Sequence, residues 1–118
     1  MPHLVIEYSQ QLEETLSIAN LVSNGHQAMC DTGLFTPSAI KSRALPYREF
    51  VLGDSRDSGA GAFIHAEVRI LEGRTTEQKE ALSAAIFTAL CEAAPEVAEV
   101  SVEVRDMEKA SYSKRLPF

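Results

Sequence analysis

The order of apolar and polar positions divides the chain into two similar halves. Residues 3–8 (HLVIEY) read as a short β-strand, and Ser9 then offers an N-cap for a helix. Leu12, Leu16, Ala19, Val22 and Met29 recur there at helical intervals, and Gly33 ends the pattern. After the turn signal Thr36-Pro37-Ser38, residues 39–45 (AIKSRAL) return as a strand, with Pro46 marking its edge or its end. The second half repeats this order. A strand is predicted over 62–71 (AFIHAEVRIL), and Thr75 and Gln78 have the spacing of a capping box, so a helix starts there. Its buried stripe is Leu82, Ala85, Ile86, Ala89, Leu90 and Ala93; Pro95 stops it, and 97–104 alternates apolar with polar as a half-buried strand does.

Each half is therefore strand, helix, strand, with starts about 60 residues apart, as a duplicated supersecondary unit requires. The polar, glycine-rich stretch 53–61 (GDSRDSGAG) connects them. Its Gly59-Ala60-Gly61 is no phosphate-cradling loop, because such a loop must open a helix and here a strand follows. The predicted class is α/β (α+β): one domain over 1–118, with repeat one at about 2–52 and repeat two at about 62–118. Parallel strands within each repeat can join into a four-stranded mixed sheet with both helices on one face. The opposite face would stay uncovered, and apolar side chains alternating there would need partner subunits.

Composition narrows the functional classes. The 118 residues are 45% hydrophobic, enough for one compact core. Acidic residues outnumber basic ones 17 to 11, and no Lys/Arg stripe suits a phosphate backbone, so nucleic acid is not an expected partner. No long apolar run or leader pattern stands in the chain, so neither membrane insertion nor export is expected, and the predicted location is cytoplasmic. Cys30 and Cys91 read as buried thiols, and His3, His26 and His65 have no ligand spacing; neither metal nor cofactor is expected.

Pro2 carries the most chemistry. Initiator methionine is normally trimmed before a small residue, which would leave the secondary amine of proline at the chain start. An α-amino group titrates at about 7.7–8.0, and burial or neighbouring cations lower that value. Such a nitrogen serves near neutrality as a general base and, once protonated, as an acid. Proline at position 2 is also common and merely starts a strand, and on the dipeptide alone that plain reading is the favoured one.

The stretch from Ile70 to Glu80 (ILEGRTTEQKE) resembles the start of the first helix of 4-oxalocrotonate tautomerase. Met1-Pro2-His3, the segment Gly33 to Arg43 (GLFTPSAIKSR) and the strand 62–71 resemble its double-length relative, the 5-carboxymethyl-2-hydroxymuconate isomerase family, over nearly the whole chain. The resemblance implies a cofactor-free keto-enol isomerase of aromatic catabolism, assembled as a homotrimer, with Pro2 as its base. Ile64 stands where a second proline would be, so one base per chain is implied. Arg74 matches an arginine that grips a substrate carboxylate, a task suited to a planar guanidinium. Placing that cation before a helix N-terminus is locally unfavourable, which strengthens a functional reason for it.

Lys41 and Arg43 lie two apart on a strand and share a face, where they could hold a multi-carboxylate ligand. Lysine at 41 departs from the family's arginine and loses the bidentate fork. Ser101 stands where the short tautomerases have an active-site arginine. Tyr112 falls where those enzymes place an aromatic wall, although a core or interface tyrosine fits equally. Two other readings share this scaffold: a broad-specificity phenylpyruvate-type tautomerase, and a non-catalytic oligomeric ligand-binding protein.

Overall fold

A computed structural model describes residues 1–54 and 61–115. Four strands, β1 (His3–Ser9), β2 (Lys41–Tyr47), β3 (Phe63–Leu71) and β4 (Glu99–Met107), form one sheet in the order β2-β1-β3-β4. β1 pairs parallel with β2, β3 pairs parallel with β4, and β1 and β3 meet antiparallel at the centre. Helices α1 (Ile18–Asp31) and α2 (Thr76–Ala93) are the crossovers. This is the mixed sheet that the repeated pattern predicts. Most of the expected connection, residues 55–60, lies outside the described residues.

The core lies where the helices cover the sheet. Leu4, Ile6 and Tyr8 from β1 and Ile64, Ala66, Val68 and Ile70 from β3 are buried there against Leu21 and Met29 of α1 and Leu82, Ile86 and Leu90 of α2. The two helices use matching i, i+4, i+8 positions, but α1 has Gly25 where α2 has Ile86. A Cβ on Gly25 would stand 2.9 Å from Leu4 Cδ2, with Leu90 and Ile6 close behind, so the missing side chain lets α1 sit tightly on the sheet. Gly25→Val is therefore expected to destabilise the fold by about 1–3 kcal/mol through overpacking. Urea melts of Gly25→Val alone and together with Leu4→Ala would check this; simple additivity of the two losses would mean that these side chains do not compete for space.

The second helix begins as its sequence predicts. Thr75 Oγ1 accepts from the Gln78 backbone N–H at 3.1 Å, and Gln78 Oε1 accepts from the Thr75 N–H at 2.9 Å, completing the capping box. The first helix does not begin at Ser9. Its cap is Ser17, which accepts from the Asn20 N–H, while Gln10–Glu14 form a 3-10 turn that tucks Leu12 into the core. Ser9 is buried, and its hydroxyl accepts from the Phe63 N–H at 2.9 Å, a tertiary bond that displaces the capping role. Tyr8 holds the turn by donating to Glu13; burial first and this bond second push its phenol up to about 12. Leu12 and Leu16 thus precede the helix, and Ala19 is exposed. Gly33 follows the Thr32 C-cap with φ of 71°, the left-handed conformation that favours glycine at a helix end.

Residues 37–39 form a 3-10 turn, so β2 starts later than predicted and runs through Pro46. A proline is tolerated there because β2 is an edge strand. The uncovered sheet face is only partly apolar. Its positions are mostly polar and paired: Arg69 donates to Glu67 at 2.7 Å, His65 and Arg105 both bond Glu103, and Tyr47 donates to Glu7. Arg105 first and His65 second hold the Glu103 carboxyl below its ordinary range. Beside these pairs the same face carries Val5 and the exposed Leu45, so it mixes matched charges with apolar positions.

Candidate active site

Pro2 precedes β1 and is buried; its carbonyl accepts from the Lys41 N–H at 3.1 Å, which extends the β1–β2 ladder to the chain start. Parallel pairing then sets His3 opposite Lys41 and Val5 opposite Arg43, while the antiparallel neighbour sets Arg69 opposite His3. With the side-chain period of two, His3, Lys41, Arg43 and Arg69 all belong to the uncovered face, at the end nearest Pro2. Lys41 and Arg43 share that face as predicted. They also border a groove between α1 and β2 that contains Val22, His26 and Ile40.

Arg74 sits between β3 and α2, immediately before the Thr75 cap. Its guanidinium donates to the Leu34 carbonyl at 2.8 Å and lies 5.1 Å from the centre of the Phe35 ring. These contacts tie the second repeat to the loop after α1 and hold a cation at a helix start where the dipole opposes it. Met1 occupies the chain start, and its ammonium is pushed below the ordinary 8.0 by burial first, then by Lys114, Lys41 and Arg74. Lys41, whose backbone bonds Pro2, and Arg74 thus both weigh on the amino group next to Pro2. Lys114 joins them, and nothing in its local sequence singled it out.

Arg43 and Tyr112 meet through His3. An Arg43 Nη lies 3.1 Å from His3 Nδ1, and His3 Nε2 lies 3.0 Å from the Tyr112 hydroxyl. The His3 and Tyr112 rings pack edge to face, with centroids 6.2 Å apart. A short 3-10 turn, Lys109–Ser111, brings Tyr112 back over the start of β1. Burial first, then Arg43, Lys41, Arg69 and the terminal amino group, lower the His3 pKa below 6.5. The unfolded chain thus binds a proton that the native site resists, and stability should fall as pH drops through 6.5 towards the native midpoint. Thermal melts between pH 7.5 and 5 would check this; replacing His3 should flatten that part of the profile.

Lys41 extends outward, its Nζ 3.4 Å from the Ala39 carbonyl. Ile64 is buried in the core, with no polar atom to offer in the second repeat. Ser101 bonds His65 at 2.7 Å on the far half of the uncovered face and belongs to a different cluster from Arg43 and Tyr112. Sequence reasoning missed His3 as a member of the site. Its place directly after Pro2 on the same strand was the available signal.

Tandem β-α-β repeats closed into one mixed sheet define the tautomerase fold. A fused 4-oxalocrotonate tautomerase (4-OT), described as a wild-type symmetric trimer, matches over 95% of this chain and 90% of its own at 20% identity and a TM-score of 0.77. The 5-carboxymethyl-2-hydroxymuconate isomerase family model matches residues 2–115, and the chain belongs to that family. It is an isomerase of the tautomerase type. A 5-carboxymethyl-2-hydroxymuconate isomerase from Deinococcus radiodurans R1 aligns at 27% identity with a TM-score of 0.84, covering 97% of this chain and 88% of its own. A 5-carboxymethyl-2-hydroxymuconate delta-isomerase aligns at 22% identity with a TM-score of 0.81, covering 98% and 88%. No curated protein matches the chain. Among the described residues, no helix is long and apolar enough to cross a membrane.

Proposed function

We propose that the protein ketonises 5-carboxymethyl-2-hydroxymuconate, with the amine of Pro2, freed by removal of Met1, as the proton carrier. The observation that carries this reading is the place of Pro2, buried at the head of β1 and bonded to the Lys41 backbone, in a region where burial, Lys114, Lys41 and Arg74 make the amino group of Met1 less basic. The proline nitrogen takes the enol proton, electrons move along the conjugated chain, and a proton is delivered to the distal carbon. The same nitrogen is base and then acid, so the reaction needs no cofactor. Arg74 and Arg43 hold carboxylates, Lys41 adds a point charge, and Tyr112 closes one wall. Cations at the 2-oxo end also stabilise the charge that develops there.

The working unit in this reading is a single tautomerase-like domain with one base, assembled as a homotrimer like the trimeric fused 4-OT relatives, in the cytoplasm and in aromatic catabolism. Lysine at position 41 favours one competing substrate class, because without the second fork the site selects less strongly for several carboxylates. Ultraviolet assays on Met1-free protein should compare 5-carboxymethyl-2-hydroxymuconate, 2-hydroxymuconate and phenylenolpyruvate. The tricarboxylate is expected to give the highest kcat/KM. Preference for phenylenolpyruvate would make the protein a broad tautomerase, and no turnover of any enol would leave a binding protein on the tautomerase scaffold.

A further inference from the structure

The contacts of His3 contain more information than their lengths. Arg43 has only N–H donors and no lone pair, so the nitrogen facing it, His3 Nδ1, must be bare. A neutral imidazole has one N–H, which then sits on Nε2 and donates to the Tyr112 oxygen at 3.0 Å. Tyr112 consequently accepts from His3, and its own proton is directed elsewhere. Protonating Nδ1 would set two donors and two cations against each other at 3.1 Å and break the contact with Arg43.

We propose that His3 is a positioning residue: fixed as the Nε2–H tautomer, it orients the Arg43 guanidinium and turns the Tyr112 hydroxyl into a donor for a carboxylate or enol oxygen of the substrate. This rests on the isomerase reading above and adds a recognition element to it. Arg43 and Tyr112 act as one unit because a single imidazole fixes both. The groups facing His3 agree with this state. β2 presents Arg43 and Lys41, and β3 presents Arg69 with its partner Glu67. Cations predominate around the ring, so the neutral form persists and the bare nitrogen is the one that an arginine can bond.

The test uses full-length protein with Met1 removed. Long-range proton–nitrogen spectra of histidine-labelled protein at pH 7.5 should show His3 as the Nε2–H tautomer. An Nδ1–H tautomer or a protonated ring would overturn the proposal. Binding of muconate, an unreactive dicarboxylate, measured by calorimetry, gives a readout independent of turnover. His3→Leu and Tyr112→Phe should each weaken it about tenfold, as loss of a hydrogen bond to a charged group does. The double variant should be little worse than either, and His3→Gln, whose amide supplies one acceptor and one donor, should recover most of the affinity. Unchanged binding in His3→Leu, or full additivity with Tyr112→Phe, would overturn the proposal. Absence of turnover in the wild-type protein with these binding effects intact would instead reject the isomerase reading alone.

Discussion

Pro2→Ala, in protein whose Met1 has been removed, is expected to lower kcat/KM for the dienol by about 10²–10⁴-fold, the usual contribution of a positioned general base. The fold should survive. What Pro2 gives the sheet is its carbonyl, which accepts from the Lys41 N–H, and alanine retains that group. Protein that keeps Met1 should lose turnover by at least as much, because the Pro2 nitrogen is then an amide without useful basicity. Mass spectrometry of the N-terminus beside each rate measurement separates the two forms. The pH profile follows in sign: the base must be unprotonated, so kcat/KM rises with pH through the Pro2 midpoint and levels off above it. Equal rates in wild-type and Pro2→Ala protein would remove the proline from the chemistry.

Arg74→Met is expected to cost about 2–5 kcal/mol of transition-state binding, the range for deleting one partner of a desolvated charge pair. Its effect should fall mainly on KM and on substrates with several carboxylates. Methionine also gives up the bond to the Leu34 carbonyl and the stacking on Phe35, so a stability loss of about 1 kcal/mol should accompany it. Arg74→Lys keeps the charge but not the fork, and should recover part of the binding only. Comparison of Tm with kinetics distinguishes the roles. A large Tm loss with unchanged kcat/KM would make Arg74 a structural tie between the repeats and nothing more.

Much of this fold is legible from local signals. Thr75 and Gln78 are three apart and satisfy each other's backbone groups, so the start of α2 requires no distant partner. Gly33 ends α1 by residue type alone, and its φ of 71° is the conformation that glycine favours. The start of α1 misleads because Ser9 is a plausible cap by type, yet its hydroxyl serves Phe63 N–H, 54 positions away. Likewise, Leu12 keeps a helical interval with Leu16 but enters the core from a 3-10 turn. The site divides in the same way. Lys41 and Arg43 share a face through the strand period, and Arg74 is recognisable from a local motif. The part played by His3 depends on Tyr112, 109 residues further on, and no window along the chain brings them together. The polarity of the uncovered face is visible in composition, but only the register assigns Glu67, Arg69, Glu103 and Arg105 to it.

The most direct test is a titration of the Pro2 nitrogen itself by nitrogen NMR in Met1-free protein labelled at proline. Burial and the cations Lys114, Lys41 and Arg74 already lower the amino group one residue earlier from 8.0, so a midpoint below 8.0 is expected for Pro2. A midpoint at or above 8.0 would mean a protonated amine at neutral pH, and would contradict its service as the base.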